Sequence, residues 1–199
     1  MTRTRKGAPD SEVKALLVKT AHQMIREESC SDLTARKLAE RVGLKRQIVH
    51  YYFGTLDDLF VAVLDMMADE SRARFQDALK ADTPLRVTWQ QTADASATLF
   101  EFIAMALHRD PIKQALGSYM DEFRLLQVNA LEQYLDKNGI RLNSAAVVNT
   151  LVIASVSQTL AFERAMGVTM GHEQTQQMIE SWLDAIESEA QQNSLTERL

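Results

Sequence analysis

The chain of 199 residues has only one cysteine, three prolines and seven glycines. The single cysteine, Cys30, cannot form a disulfide within the chain, which excludes the disulfide-framed secreted domains and fits a reducing cytoplasm. Because prolines and glycines most often interrupt helices, their scarcity leaves long stretches free to be helical. A hydrophobic content of 46% is ordinary for a globular protein.

Long apolar runs and an N-terminal leader are also missing from the sequence. No apolar run approaches the length that spans a membrane. The first twelve residues, MTRTRKGAPDSE, are positively charged, but no apolar stretch follows them as it would in a secretory signal. We therefore expect a cytoplasmic chain that does not engage a membrane.

The sequence has no motif of a catalytic or metal site. No glycine-rich phosphate loop follows a strand, and no elbow motif presents a nucleophile. The four histidines are scattered, and no set of His, Cys and carboxylate residues has the spacing of metal ligands. We therefore expect neither an enzyme nor a bound cofactor or metal.

Charge is distributed unevenly along the chain. The net charge of −5 is opposite to that of most nucleic-acid binders. Residues 1–53, however, hold 11 Lys and Arg against 6 Asp and Glu, and the remainder holds 11 against 21. Phosphate contact needs positive charge only where the duplex lies, so this pattern is typical of a DNA-binding part attached to an acidic body. On charge alone, chance clustering on a solvated face remains the alternative.

Hydrophobic periodicity predicts an all-α fold. Apolar residues recur at offsets of three and four, the glycines and prolines fall at helix ends or in loops, and no alternating strand pattern occurs. A short helix is predicted to end near Leu116, and the last residues, 188–199, are expected to be frayed. Long helices are predicted over residues 11–28, 55–81, 84–108, 118–137 and 144–166, and a further one from residue 172.

Residues 33–59 have the pattern of a helix-turn-helix. Thr34 is placed to cap a short helix over residues 35–42. Gly43 can supply the positive φ that a tight turn demands. A second short helix is predicted over residues 45–53. Such a pair of helices can lie in a DNA groove.

The second short helix has two unlike faces. Val49 and Phe53 recur at helical spacing and can pack inward, whereas Tyr52 is equally suited to the core or to a phosphate. Tyr51 is expected to reach a phosphate through its hydroxyl. The opposite face carries polar groups that hydrogen-bond base edges and phosphates, namely Lys45, Arg46, Gln47 and His50.

Two further positions flank these helices. Arg36 lies early in the first short helix, where it can contact guanine. An ion pair with Glu40 at i+4 is the competing interpretation. Thr55 can cap the next helix, whose first turn holds Asp57 and Asp58.

At these residues the chain resembles the TetR/AcrR family of transcriptional repressors. The resemblance covers about the first sixty residues, and beyond them it consists of length and helical character. One position departs from the family pattern, because Leu56 stands where a lysine often reaches a phosphate, although backbone amides there can still bind one. The matching segments are Leu33-Thr34, Leu38-Ala39, Gly43, residues 45–50, Tyr51-Tyr52-Phe53, Gly54-Thr55 and Asp57-Asp58-Leu59.

The resemblance implies an all-α protein of about nine helices. A three-helix DNA-binding domain would occupy residues 1–54, with residues 1–9 as a flexible arm, and a larger ligand-sensing and dimerisation domain would occupy residues 55–199. It also implies a homodimer that binds double-stranded DNA at a pseudo-palindromic operator and responds to an unknown small molecule. The expected DNA contacts are Thr34, Arg36, Lys45, Arg46, Gln47, His50, Tyr51, Tyr52 and Thr55.

The helix over residues 84–108 points to a ligand cavity. It places Thr92 and Ser96 on a face that is otherwise apolar, and pockets are mostly apolar with a few polar groups. Ordinary packing with exposed hydroxyls is the alternative. The predicted lining consists of Trp89, Ser96, Ile103, Phe123, Gln127, Gln158 and Phe162.

The helix over residues 144–166 is apolar on nearly all sides and is expected to be buried all round. The helix from residue 172 carries an apolar stripe of its own. Packing both against their copies in a second subunit, as a four-helix interface, accounts for this pattern. The predicted interface residues are Leu151, Ser155, Met178, Ile179, Trp182, Leu183 and Ile186.

Two functions fit the sequence. The first is a ligand-responsive, sequence-specific DNA-binding regulator, a repressor that a small apolar molecule releases from its operator by favouring a state whose spacing does not fit. The second is a helical small-molecule-binding protein whose helix-turn-helix is only structural. Salt separates them, since DNA binding through phosphates weakens steeply with salt and apolar ligand binding does not.

Overall fold

The computed structural model describes residues 8–93 and 97–196. These residues form nine α-helices and one 3-10 turn, with no strand among them, which confirms the predicted all-α class. The 3-10 turn is Cys30–Asp32. The helices are α1 (Ala8–Glu27), α2 (Ala35–Arg41), α3 (Arg46–Tyr52), α4 (Leu56–Ala78), α5 (Pro84–Ala93), α6 (Ala97–Ala106), α7 (Asp110–Lys137), α8 (Ala146–Ala165) and α9 (His172–Thr196).

One predicted interruption is wrong. α7 runs continuously from Asp110 to Lys137, so no separate helix ends near Leu116, and Gly117 lies inside α7 instead of in a loop. A glycine inside a helix costs about 1 kcal/mol relative to alanine. The burial of Ile112 and Leu116 on the same helix offsets that cost.

The C-terminal end of α9 also differs from the prediction. Residues 188–199 were expected to be frayed, but α9 continues to Thr196. Ala190 is buried, and the Asn193 side-chain amide donates a hydrogen bond of 2.9 Å to the Asn138 carbonyl. These contacts are made with α7 and the residues after it, and no local pattern in α9 indicates them.

The chain divides into two compact units. Unit 1 comprises Met1–Glu70 and Ser96–Tyr119, and unit 2 comprises Ser71–Ala95 and Met120–Leu199. α4 and α7 contribute residues to both units. The predicted single helix over residues 84–108 is described as α5 in unit 2 and α6 in unit 1, with residues 94–96 outside the described part. The division into domains at residues 54 and 55 concerns function and stays a prediction.

The core of unit 1 joins the helix-turn-helix to α6. Leu17, Leu38, Phe60 and Phe102 are fully buried in one cluster. The rings of Phe60 on α4 and Phe102 on α6 meet edge to face, with 6.0 Å between centroids. Such aromatic contacts stabilise a core beyond the area that they bury.

A carboxylate strengthens the attachment of α6 within unit 1. Glu101 accepts hydrogen bonds from the Cys30 backbone amide and, at 3.2 Å, from the Ser29 hydroxyl. Nearby, Arg109 donates to Asp57 at 2.8 Å and lies over the ring of Phe60. The 3-10 turn before α2 and the start of α4 are thus held by charged groups from the α6–α7 region. The residues lie more than fifty positions apart, and the sequence analysis did not find them.

The core of unit 2 is built mainly from α5, α7, α8 and α9. Leu131, Ile153 and Leu183 are almost fully buried in it. α5 packs along α8, and the Ser157 hydroxyl on α8 donates to the Trp89 carbonyl on α5 at 2.7 Å. A buried hydroxyl with a partner of this kind fixes the register of two helices.

α8 is buried on one face only, so the expectation of burial all round is wrong for a single chain. Five apolar side chains on its other face are between 42% and 49% exposed, namely Val147, Val148, Leu151, Val152 and Phe162. Among the described residues α8 is also the one helix long and apolar enough to cross a membrane, contrary to the expectation from the sequence. Its inner face contains the buried polar residues Asn149, Thr150 and Ser157, and α8 is a core helix of unit 2.

A half-buried arginine ties α5 to α9 in unit 2. Arg86 donates to Glu187 at 2.8 and 2.9 Å and to Asp184 at 2.6 Å. Thr83 adds a hydroxyl bond of 2.7 Å to the same Glu187 carboxylate. The hydrogen bond to Glu187 is the main reason that the pKa of Arg86 is raised, so the side chain stays charged.

Replacing Arg86 should destabilise unit 2. Arg86→Ala leaves the half-buried Glu187 carboxylate without its cation, and we expect a loss of about 1–3 kcal/mol in the free energy of unfolding. Urea denaturation followed by circular dichroism measures it. Lys80→Ala is the control, because both side chains of the Lys80–Asp77 pair are largely exposed. This substitution should leave the urea midpoint unchanged. An equal effect of both substitutions would contradict the role of Arg86.

Cys30 should make stability depend on alkaline pH. Burial, followed by the hydrogen bond and charge of Glu101, raises the pKa of this thiol above its ordinary value of 9.0. The raised pKa gives stability that is present below pH 9 and is lost above it, because the unfolded chain then releases a proton that the folded chain keeps.

The free energy of unfolding of the native chain, measured relative to that of Cys30→Ala, should therefore fall above pH 9 by up to about 1.4 kcal/mol per pH unit. Lys and Tyr titrations are common to both proteins and cancel in the difference. A constant difference between pH 7 and pH 11 would show that the Cys30 thiol ionises equally in both states.

Candidate nucleic-acid interface

The turn between α2 and α3 is built by local hydrogen bonds. The Thr34 hydroxyl accepts from the Lys37 amide at 3.1 Å, which confirms Thr34 as the cap of α2. After α2, Gly43 has φ of 69°. Its amide donates to Glu40, and the next amide donates to Ala39, the arrangement by which a glycine closes a helix. The predicted helix-turn-helix is therefore present, with the turn at the predicted glycine.

The inner face of α3 holds the motif to unit 1. Val49 and Phe53 are buried, as predicted, and Phe53 also lies under the ammonium group of Lys14 at 5.7 Å. Tyr52 is half-buried and packs against the same core. Its ring meets that of Tyr51 edge to face, with 5.1 Å between centroids. The structure thus packs the Tyr52 ring against the core, and its contact with a phosphate stays a prediction.

The outer face of α3 brings the predicted contact residues together. Tyr51 is 66% exposed. The Arg46 side chain donates through Nε to Nε2 of His50 at 3.1 Å, one turn further along α3. The exposed polar side chains of this face are Lys45, Arg46, Gln47 and His50. Together these side chains offer mainly hydrogen-bond donors.

Arg36 makes the ion pair that was its alternative interpretation. Its Nε lies 2.8 Å from Glu40 Oε1, and the hydrogen bond to Glu40 raises the pKa of Arg36. Its side chain is nevertheless 78% exposed. An exposed pair of this kind contributes little to stability, so Glu40 competes only weakly with a phosphate for the guanidinium.

The other cations of α2 are also paired with carboxylates. Arg41 contacts Glu27 at 3.0 Å and Glu28 at 3.3 Å, and Lys37 contacts Glu28 at 3.4 Å. These pairs join α2 to the end of α1. The positive charge of residues 1–53 is therefore partly used inside unit 1, and the face of α3 carries a larger share of the unpaired charge than the sequence count suggests.

Thr55 is engaged at the start of α4. Its amide and hydroxyl both donate to Asp58 Oδ2, at 2.8 and 2.9 Å, and the Asp58 amide donates back to the hydroxyl at 3.1 Å. This reciprocal arrangement is a capping box. Leu56, the residue that departs from the family pattern, is half-buried against the core. A phosphate at this helix start would have to displace or tolerate the Asp58 carboxylate.

The predicted ligand-binding residues occupy several different environments. Trp89 and Gln127 are buried in unit 2, and Phe123 packs edge to face on Phe75 at 5.6 Å. Gln158 is half-buried and Phe162 is exposed. Ile103 belongs to unit 1, where it packs against the core, and Ser96 lies outside the described residues. The described members of this set therefore belong to both units, and their role in binding a ligand stays a prediction.

Unit 2 contains a groove and an unsatisfied polar atom. The groove, of about 330 Å³, lies between α8 and α9 and has none of the predicted ligand residues in its lining. His172 is buried at its edge, with Nε2 2.8 Å from a Glu163 oxygen. In the part of unit 2 that the structure describes, the buried hydroxyl of Thr150 has no hydrogen-bond partner. An unpaired buried hydroxyl costs free energy until a partner reaches it.

The predicted dimer-interface residues fall into two groups. Leu151, Ser155 and Met178 are exposed, and Trp182 is half-buried. The other three belong to the core of unit 2, namely Ile179, Leu183 and Ile186. One stripe of α9 therefore faces the interior of its own subunit, and the exposed apolar surface is contributed mainly by α8. Over residues 8–93 and 97–196, no group of three potential metal ligands is present.

The sequence of this chain is similar to those of known regulatory proteins. Residues 17–63, from α1 into α4, match the tetR family of bacterial regulatory proteins. The HTH-type transcriptional regulator BetI of Brucella melitensis is 26% identical over 151 residues, which cover 69% of this chain and 76% of that protein.

Solved structures share the fold over most of the chain. A TetR transcription regulator from Haloarcula marismortui matches with a TM-score of 0.72 and 20% identity, covering 88% of this chain and 98% of its own. A transcriptional regulator from Saccharomonospora viridis, in complex with choline, matches with a TM-score of 0.64 and 13% identity, covering 79% and 87%. The helix-turn-helix region thus matches the tetR family of bacterial regulatory proteins, and most of the chain shares the fold of these transcriptional regulators.

Proposed function

We propose that the protein is a homodimeric repressor that binds a pseudo-palindromic operator and is released from it by a small apolar molecule. Residues 1–54 would read DNA, and residues 55–199 would sense the ligand and dimerise. The observation that carries the proposal is the exposed donor face of α3, held in place by the buried Val49 and Phe53. Such a regulator works in the cytoplasm.

DNA recognition follows from the chemistry of that face. Arg46 and Lys45 suit guanine and phosphate, and Gln47 suits adenine. Tyr51 and the capped start of α2 at Thr34 would contact the backbone, with Arg36 exchanging Glu40 for a phosphate or base. Thr55 would contribute through α4, although Asp58 makes this the weakest of the proposed contacts.

Dimerisation follows from the outer face of α8. Val147, Val148, Leu151 and Val152 are exposed side by side on a helix whose other face is packed on α5. Large exposed apolar patches mark interaction sites. A second copy of the chain is the proposed occupant, because a two-fold interface joins the same face of each subunit and other helix-turn-helix proteins read two half-sites as dimers.

Ligand response is supported by buried polar groups in unit 2. Among the described residues, Thr150 has a buried hydroxyl without a partner, and Gln127 is another buried polar side chain of unit 2. A transcriptional regulator of this fold was solved in complex with choline, which supports a small-molecule site in this chain. α4 and α7 are continuous helices with residues in both units. A ligand that favours one arrangement of unit 2 can therefore change the position of the helix-turn-helix through these helices.

Selection from a random duplex library tests the DNA-binding proposal. At about 0.15 M salt, where weak phosphate contacts are screened, the protein should enrich an inverted repeat with half-sites about 34–36 Å apart, or a multiple of that distance. Arg46→Ala should weaken binding to the selected site far more than binding to random DNA.

Lys113→Ala on α7 is the matched control, because it also removes one exposed cation. It should leave the affinity for the selected site unchanged. An equal loss on both DNAs for Arg46→Ala would show a phosphate contact instead of base reading. A folded dimer that enriches no sequence would favour the small-molecule-binding alternative.

Substitution on α8 tests the dimer. Leu151→Glu places a charge in the centre of the proposed interface, where it would be desolvated, and should convert the dimer to a monomer in sedimentation equilibrium. Leu125→Glu on α7 is the control, since Leu125 is 60% exposed and lies outside the proposed interface. If the Leu151→Glu variant remains a dimer, the proposed interface is wrong. If the native chain co-sediments with lipid vesicles, the apolar face of α8 binds a membrane instead of a second copy.

A further inference from the structure

Two side chains on the outer face of α3 are already joined before any DNA is present. The Nε of Arg46 donates to Nε2 of His50 at 3.1 Å. The residues are four apart, so they lie one above the other on the helix, and both are exposed. Gln47, on the same face, has no side-chain hydrogen bond among the described residues.

This contact has one possible donor and one possible acceptor. A guanidinium has five N–H donors and no acceptor, so Nε2 of His50 is the accepting atom. The Arg46 side chain uses its Nε for His50 and keeps both terminal nitrogens, Nη1 and Nη2, for another partner.

Guanine is the partner that two terminal guanidinium nitrogens fit. Its O6 and N7 lie in the major groove and accept a bidentate pair of hydrogen bonds. A free arginine has many rotamers, and the loss of that freedom opposes binding. A side chain that is already held at Nε loses less freedom when the other two nitrogens bind.

Resting on the proposed function, we infer that His50 is a positioning residue that sets Arg46 for reading guanine. Its Nε2 acts as an acceptor that orders the guanidinium, and the specificity of the Arg46 position depends on it. Alone, a histidine on this face would serve as a general groove or phosphate contact, and its loss would weaken every sequence alike.

The test compares two replacements that differ in one property. His50→Gln keeps an acceptor oxygen at a similar reach, and His50→Leu keeps a comparable volume without an acceptor. Both are neutral and exposed, so neither changes the net charge or the core. Binding of each variant, of Arg46→Ala and of the double variant Arg46→Ala/His50→Leu is measured on the selected operator and on its single-base variants.

We expect Arg46→Ala to reduce the preference for guanine at one position of each half-site by about tenfold, within the range for one bidentate pair. His50→Leu should reduce the same preference by about threefold, His50→Gln should restore most of it, and the double variant should equal Arg46→Ala. The base preference opposite Gln47 should not change, which separates loss of positioning from displacement of α3.

Three results would overturn the inference while leaving the proposed function intact. They are an unchanged guanine preference in His50→Leu, an equal loss in His50→Gln and His50→Leu, and additive losses in the double variant, which would mean that the two side chains act independently. If the native chain enriches no operator at all, the proposed function fails first, and the inference falls with it.

Discussion

Burial of the inner face of α3 is the constraint on which the rest of the DNA-binding surface depends. α2 and α3 have seven residues each, and helices this short are unstable alone in water. They persist because Leu38, Val49 and Phe53 are packed into unit 1. The polar face exists only as the reverse side of that packing, so the core side chains determine where the donors of α3 point.

The features that the sequence predicted well are those with a local cause. The cap at Thr34, the turn at Gly43 and the inward Val49 each depend on neighbours within a few residues. What it missed depends on distant partners, such as Glu101, which binds an amide 71 positions away. The continuity of α7 through Gly117 was missed for the same reason, because burial on unit 1 overrides the weak local preference of one glycine.

Apolar periodicity also has two possible meanings that the sequence does not separate. On α9 the stripe through Ile179, Leu183 and Ile186 faces the interior of the same subunit. On α8 apolar residues occur on both sides, and only one side is covered. A hydrophobic pattern shows that a surface avoids water, but which chain covers it depends on the tertiary arrangement. The candidate dimer surface is therefore defined by α8 more clearly than the sequence allowed.

The state of Cys30 has a practical consequence for following the motion of this regulator. The thiol is buried, and its raised pKa keeps it neutral, so it is a poor nucleophile toward maleimides and nitroxide reagents near neutral pH. Since it is the only cysteine in the chain, a cysteine introduced on an exposed position of α3 would be the single reactive site per subunit. Spin labels placed there would report the distance between the two recognition helices of the proposed dimer directly, against an unlabelled native background.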